Sequence, residues 1–311
     1  MSTVETGQEG APWLLARLSL VYNLDMVELS RGPGELLDPL ILGALASASV
    51  AGVGHDPELE YAYAGLSAAP PDELRRATSI ASLAASLRLP FETVRRRVKR
   101  LAAEGHCEIT PKGVVQPEAA AYREPHQGQA IARFERTRQL YRDLLSIGVC
   151  PPPEARETPA RLHAEAPVRL TNRLVGEYSL RIVDALMRST GDLFRGLIVL
   201  QIARANGEHL DDLSFNPDAP LTDAERVPVA ASALARRLRM PNETVRRHVK
   251  SLLADGLILR VKGGLILSTE GILGTGLGVV AHENAANIRR LFTRLDQMAV
   301  LAWWDGETED C

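Results

Sequence analysis

The 311-residue chain has few aromatic residues and very little cysteine. Phe, Tyr and Trp make up 5% of it, against 45% for all hydrophobic residues, so its cores must be built from aliphatic side chains. The three cysteines, Cys107, Cys150 and Cys311, are odd in number and widely spaced. That pattern excludes a disulfide framework and suits a reducing compartment. No Cys or His cluster has zinc-ligand spacing. There is no uninterrupted run of roughly 18 apolar residues, so no membrane span is expected. The opening residues MSTVETGQEG lack the basic and apolar regions of a signal peptide, and the expected location is cytoplasmic. An overall positive charge is missing as well. The net charge of −3 excludes a histone-like coating of nucleic acid. No Ser-His-Asp set or carboxylate pair stands out, so neither an enzyme nor a cofactor is expected.

Positive charge is present locally. Arg88 to Arg100 holds six Lys or Arg against one Glu. Acidic residues gather elsewhere, in His55–Asp72 and Glu208–Glu225. The basic stretch belongs to a segment that occurs twice, as PFETVRRRVKRLAAEG from Pro90 and as PNETVRRHVKSLLADG from Pro241. From Leu83 to Gly105, against Leu234 to Gly256, 15 of 23 positions are identical. Val94, Val98 and Leu101 recur at spacings of four and three, and so do Val245, Val249 and Leu252; each set predicts the buried stripe of a helix. On the opposite side stand Glu92, Arg95, Arg96 and Lys99 in one copy, and Glu243, Arg246, Arg247 and Lys250 in the other. A core requirement explains the matched Val and Leu. It does not explain four matched charges that face solvent.

In each copy a short apolar helix precedes the basic one, over Ser79–Leu87 and Ala230–Leu238, and a strand–turn–strand pattern follows. That order predicts a winged helix-turn-helix. Lys112 and Lys262 fall at the wing tips. Arg can pair bidentately with guanine and Glu can accept from cytosine, whereas Lys suits phosphates. The candidate DNA-binding residues are therefore Glu92, Arg95, Arg96, Arg97, Lys99 and Lys112, with Glu243, Arg246, Arg247, His248, Lys250 and Lys262 in the second copy. His248 takes the place of Arg97 and is expected to tune the DNA contact.

The Glu-Thr-Val-x-Arg segment, followed by hydrophobic residues and a Gly, resembles the recognition helices of bacterial winged helix regulators. Its nearest resemblance is to the cyclic-AMP receptor protein class. The resemblance covers roughly 40 residues per copy and implies base contacts by Glu92 with Arg96, and by Glu243 with Arg247. It does not extend to the cyclic-nucleotide β-barrel of that class. The docking mode is implied, the ligand is not.

The similarity of the two halves reaches further, about 16–149 against 172–300. Arg17, Leu18, Tyr22, Leu24 and Val27 match Arg173, Leu174, Tyr178, Leu180 and Val183. A helix from about Pro12 to Ser30 and another from near Gly34 are expected, the second matching the segment from Gly191. The predicted fold is mainly α with small β-hairpin wings, as tandem winged helix-turn-helix domains with flanking helices in a pseudo-twofold duplication. Its parts are a first repeat over 12–149 (winged helix about 78–118), a proline-rich linker over 150–168, and a second repeat over 169–302 (winged helix about 229–269). Residues 1 to about 11 read as disordered. Gly52–Ala77 and Asn206–Pro228 read as long surface loops that either vary freely or bind a partner or effector. Flanking helices are expected over Gln127–Ile147, with a buried stripe of Ile131, Phe134, Tyr141 and Leu144, and over Gly278–Met298, with Ala285, Ile288, Leu291, Phe292 and Leu295. His106 and Cys107 are placed on opposite faces of a strand. Gly271–Gly278 lacks the Lys-Ser/Thr pair of a phosphate loop and reads as a flexible connection. Trp303 and Trp304 are expected to cover the helical bundle.

The expected function is a cytoplasmic bacterial transcription regulator that reads two similar half-sites of duplex DNA, about one helical turn apart. RNA polymerase or another regulator is a candidate partner. The two halves pair as a pseudo-dimer in this reading, with a homodimer also open. Two alternatives remain: a tandem winged-helix scaffold of the chromosome-segregation type that binds protein, and a DNA binder like the plasmid replication initiators.

Overall fold

The computed structural model describes residues 12–31, 35–210, 220–274 and 276–309. The disorder expected for residues 1–11, the cysteine at 311 and much of the second acidic loop (211–219) lie outside the described residues. The helices of the first part of the chain are α1 (Pro12–Arg31), α2 (Leu37–Ser49), α3 (Pro57–Ala62), α4 (Ile80–Ser86), α5 (Phe91–Ala103) and α6 (His126–Ser146). They are followed by α7 (Val168–Thr190), α8 (Leu193–Gly207), α9 (Ala231–Arg237), α10 (Asn242–Ala254), α11 (Thr269–Gly274), α12 (Gly276–Gln297) and α13 (Val300–Glu309). Strands β1 (Glu108–Thr110) and β2 (Gly113–Val115) form one antiparallel hairpin, and β3 (Ile258–Val261) and β4 (Gly264–Leu267) another. The fold is thus mainly α with two small β-hairpins. No described helix is long and apolar enough to cross a membrane.

The chain divides into two compact units. The one that carries the first hairpin comprises Asp25–Leu145, Cys150–Arg181 and the described part of Arg289–Cys311. The other comprises Ser146–Val149 and the described parts of Met1–Leu24 and Ile182–Ile288. The boundaries fall inside α1, α7 and α12, at the last residue of α6 and between Val149 and Cys150.

In the unit with the first hairpin, α2 packs on α4, α5 and β2. Ile41 and Leu45 of α2 meet Leu83 and Leu87 and the Val94, Val98, Leu101 stripe of α5, all of them buried. α4 starts at Ser79, whose Oγ accepts from the Ser82 N–H at 2.9 Å and so satisfies one of the unpaired amides of the first turn. It ends where Arg88 turns left-handed (φ 49°) and the Leu89 N–H reaches back to the Ala84 carbonyl at 3.0 Å. Pro90 then opens α5. The hairpin closes against Thr78, which exchanges two 2.8 Å backbone hydrogen bonds with Val114. Gly113 has φ 129°, and a Cβ there would stand 2.5 Å from the Thr78 carbonyl oxygen. Only glycine lets the hairpin come so close.

The other unit contains the same order of elements. α8 packs on α9, α10 and β4. Val245, Val249 and Leu252 are buried, as the spacing predicts. Arg239 takes the left-handed position (φ 47°), and the Met240 N–H bonds to the Ala235 carbonyl at 2.9 Å. Val229 bridges to Leu265, and Gly264 (φ 153°) lies under the Val229 carbonyl as Gly113 lies under that of Thr78.

Several expectations are corrected. Gly52–Ala77 is not a bare loop: it holds α3 and two short 3-10 turns, and the carbonyl of Ala64 accepts from the Arg169 N–H at 2.8 Å. Ile131 lies outside the buried stripe of α6, being 44% exposed, while Thr137 and Leu140 join Phe134, Tyr141 and Leu144 inside it. The α12 stripe is buried throughout. His106 and Cys107 precede β1 rather than lying in it; Cys107 is buried, and His106 faces His126 with ring nitrogens 3.1 Å apart. Of the flexible connection expected over Gly271–Gly278, the described residues Gly271–Gly274 and Gly276–Gly278 are helical. Close packing demands the glycine at 271, because a Cβ would stand 2.5 Å from the carbonyl oxygen of Gly256. Trp304 is 1% exposed on α13, with ring centroids 5.5 Å from both Phe134 and Tyr141.

Candidate functional site

Helix α5 separates its residues by chemistry. The Val94, Val98, Leu101 stripe fixes which side is buried, so residues two positions off that stripe face outward. Glu92, Arg96 and Lys99 are exposed, Arg95 is half-buried, and with Thr93 they line a shallow open concavity. Arg95 donates from Nε and Nη2 to Glu92 Oε2 at 2.9 and 2.6 Å. The next residue, Arg96, has no charged partner among the described residues. The cluster therefore presents one clamped guanidinium, one unclamped guanidinium, a carboxylate and an ammonium within two helical turns.

α10 reproduces this arrangement. Arg246 donates to both oxygens of Glu243, at 2.8 and 2.6 Å. That hydrogen bond, with the charge of Arg246, holds the Glu243 carboxyl below the usual carboxylate range, so it stays ionised at neutral pH. Arg247 and Lys250 are exposed beside it, with no ion pair among the described residues. Exposed pairs of this kind contribute little, because solvent screens them. A ligand can therefore take over either member at small cost.

Two of the candidates stand apart. Arg97 is turned inward, 14% exposed, donating to Asp38 Oδ1 at 2.7 Å and Glu35 Oε2 at 2.6 Å. Arg100 also pairs with Asp38. His248 is 13% exposed; its Nδ1 lies 3.6 Å from Asp192 Oδ2, and its ring stacks on Phe194 at 5.9 Å. Burial pushes its pKa down, with Asp192 acting against that shift. The cause is positional. Arg97 comes three residues after Val94 and four before Leu101, at the edge of the buried stripe, and His248 holds the same place in α10. Both secure their helix to α2 or α8.

Lys112 and Lys262 sit exposed at the tips of the two hairpins. Two further cations escaped the sequence reading, Arg236 of α9 and Arg260 of β3, both exposed and without an ion pair among the described residues. They take the places of Ala85 and Ile109 in the first copy, and comparing the copies charge by charge would have found them. Among the described residues, no group of three or more His, Cys, Asp or Glu is placed to hold a metal ion.

The chain matches no protein-family model, no curated protein and no solved structure.

Proposed function

We propose that this chain is a sequence-specific double-stranded DNA-binding transcription regulator, with α5 and α10 as two recognition helices in one chain. In this reading each set of helix, turn, helix and hairpin is a winged helix-turn-helix, the two are copies of one ancestral unit, and the protein works in the bacterial cytoplasm without a cofactor. One observation carries it. The charges that the two helices share, Glu-Arg-Arg-Lys, have no ion pair outside their own helix among the described residues, while the positions that differ, Arg97 against His248 and Arg100 against Ser251, contact α2 or α8 or the residues just before them. Contacts to α2 and α8 constrain the second set, and it differs together with its partners. The Glu–Arg pairs within each helix constrain half of the shared set, and an external ligand common to both helices constrains the rest.

The chemistry suits a duplex. Arg96 and Arg247 offer unclamped bidentate donors for a guanine edge. Lys99, Lys112, Lys250 and Lys262 suit phosphates. A net charge of −3 limits binding to these local faces. Affinity then falls steeply as salt rises, because each neutralised phosphate releases counterions.

The test is selection of genomic duplex fragments by the purified chain at two salt concentrations. A salt-sensitive site with two related half-sites supports the reading. No enriched DNA at low salt overturns it.

A further inference from the structure

The chain leaves α5 and α10 in the same way. The His106 N–H returns to the Leu101 carbonyl at 2.9 Å, and the Leu257 N–H to the Leu252 carbonyl at 3.1 Å. The flanking helices also run in step: Leu140, Tyr141 and Leu144 of α6 are buried, and so are Leu291, Phe292 and Leu295 of α12. In that register Leu257 is the counterpart of His106, and Leu277 that of His126. Two leucines, 3% and 9% exposed, therefore stand where the unit with the first hairpin has two histidines.

The two histidines meet. His106 Nδ1 lies 3.1 Å from His126 Nε2, with the rings edge to face. That hydrogen bond needs one ring to donate and the other to accept, so at least one ring is neutral. Two protonated rings turn N–H towards N–H. Among the described residues, Arg123 and Arg133 act on His126 as cations, Gln129 bonds to it, and Glu104 Oε2 stands 3.8 Å from His106 Nε2. Burial, followed by the charge of His106, holds the His126 pKa below its usual value. The contact is therefore fully present above the unfolded value and is lost as pH falls towards the lowered one. No third His, Cys, Asp or Glu among the described residues joins the pair as a metal ligand.

We infer that the His106–His126 pair is an acid-triggered release built into the unit with the first hairpin. On acidification both rings protonate, their hydrogen bond breaks, and the α5–β1 junction comes away from the start of α6. Leu257 and Leu277 carry no proton to respond with. The consequence for DNA rests on the reading proposed above: α5 gives up its half-site on acidification through this pair.

The experiment follows backbone hydrogen exchange of the full chain at about pH 7.5 and about pH 5.5, on either side of the usual histidine value, with the intrinsic effect of pH removed. The wild type is compared with H106L/H126L, which installs the pair of the second copy, and with H126Q, which keeps a neutral partner for His106. Acidification speeds wild-type exchange over Leu101–Ala130 about fivefold more than it does in either variant, the equivalent of one lost hydrogen bond. An unchanged unfolding midpoint at the higher pH shows that the variants fold. An equal rise in all three proteins overturns the inference. Footprinting of the selected DNA at both pH values tests the consequence. Loss of the α5 half-site at the lower pH in the wild type alone supports it, and retention by the wild type overturns it. If no DNA is bound at either pH while the exchange result holds, the DNA-binding reading fails and the acid-sensitive contact stands.

Discussion

Arg96 and Arg97 are adjacent in sequence and opposite in role. Arg96 reaches solvent without a charged partner among the described residues, whereas Arg97 is held between Asp38 and Glu35. Substitution separates them. Arg96→Ala, or Arg247→Ala in α10, is expected to relax base preference in its own half-site at a cost of about 1–3 kcal/mol of binding. Competition among single-base variants of the selected site measures this, and equal weakening on every sequence would reduce the residue to a phosphate contact. The glycines under the hairpins are a second residue-scale case. Gly113→Ala or Gly264→Ala combines a left-handed φ with a Cβ 2.5 Å from a carbonyl oxygen. Each is expected to destabilise its unit by on the order of 3 kcal/mol, read from urea unfolding.

The helix caps provide an internal comparison at the scale of the element. α4 and α9 are both seven residues long and both enter from extended backbone, Ser79 at φ −74°, ψ 149° and Ala230 at φ −72°, ψ 141°. Ser79 caps its helix through Oγ, and Ala230 has no side chain to do so. Ala230→Ser is therefore expected to raise stability by about 1 kcal/mol, and Ser79→Ala to lower it by a similar amount. A chemical denaturation midpoint that does not move for Ala230→Ser would mean that α9 takes its first-turn partners elsewhere. α13 is an element that packing creates. Its register brings Trp304 against Phe134 and Tyr141, while Tyr141 donates to Asp305 at 2.9 Å. Trp304→Ala is expected to cost about 3–5 kcal/mol, measured by thermal or urea unfolding.

For the whole molecule, histidine burial gives stability a direction with pH. Burial lowers the pKa of His126, His163 and His248 below 6.5, the value expected in the unfolded chain. As pH falls through that value, the unfolded chain takes up protons that the folded one refuses. Stability is therefore full above the unfolded pKa and is lost progressively down to the folded pKa values. The raised pKa of Glu60, also caused by burial, acts in the opposite sense above 4.5, so single variants are the proper probe. His163→Gln, at a ring that contacts the Met298 carbonyl at 2.7 Å, is expected to flatten the loss of stability between about pH 7 and 5. A slope identical to that of the wild type would show that His163 titrates alike in the folded and unfolded chain.

The sequence by itself determined the local architecture. Spacing of Val and Leu fixed which sides of α5 and α10 are buried, because a helix repeats every 3.6 residues or so whatever surrounds it. Pro90, Pro241 and the glycine-containing turns set where the helices and hairpins start and stop, since backbone sterics act over a few residues. The outward Glu-Arg-Arg-Lys set was legible for the same reason. Tertiary structure decided what depends on residues far apart in the chain. Arg97 turns inward because Asp38 and Glu35, some sixty positions earlier, receive it, and His248 follows because Asp192 and Phe194 stand there. Gly271 reads locally as loop, yet it lies in a helix, and the glycine is required because only a bare Cα fits under the Gly256 carbonyl. Ile131 stays exposed on α6 while Thr137 is buried, since neighbouring elements, and not hydrophobicity alone, choose the buried side of a long helix. Local sterics and periodicity are written in neighbouring residues, whereas charge pairing and close packing are settled only when distant segments meet.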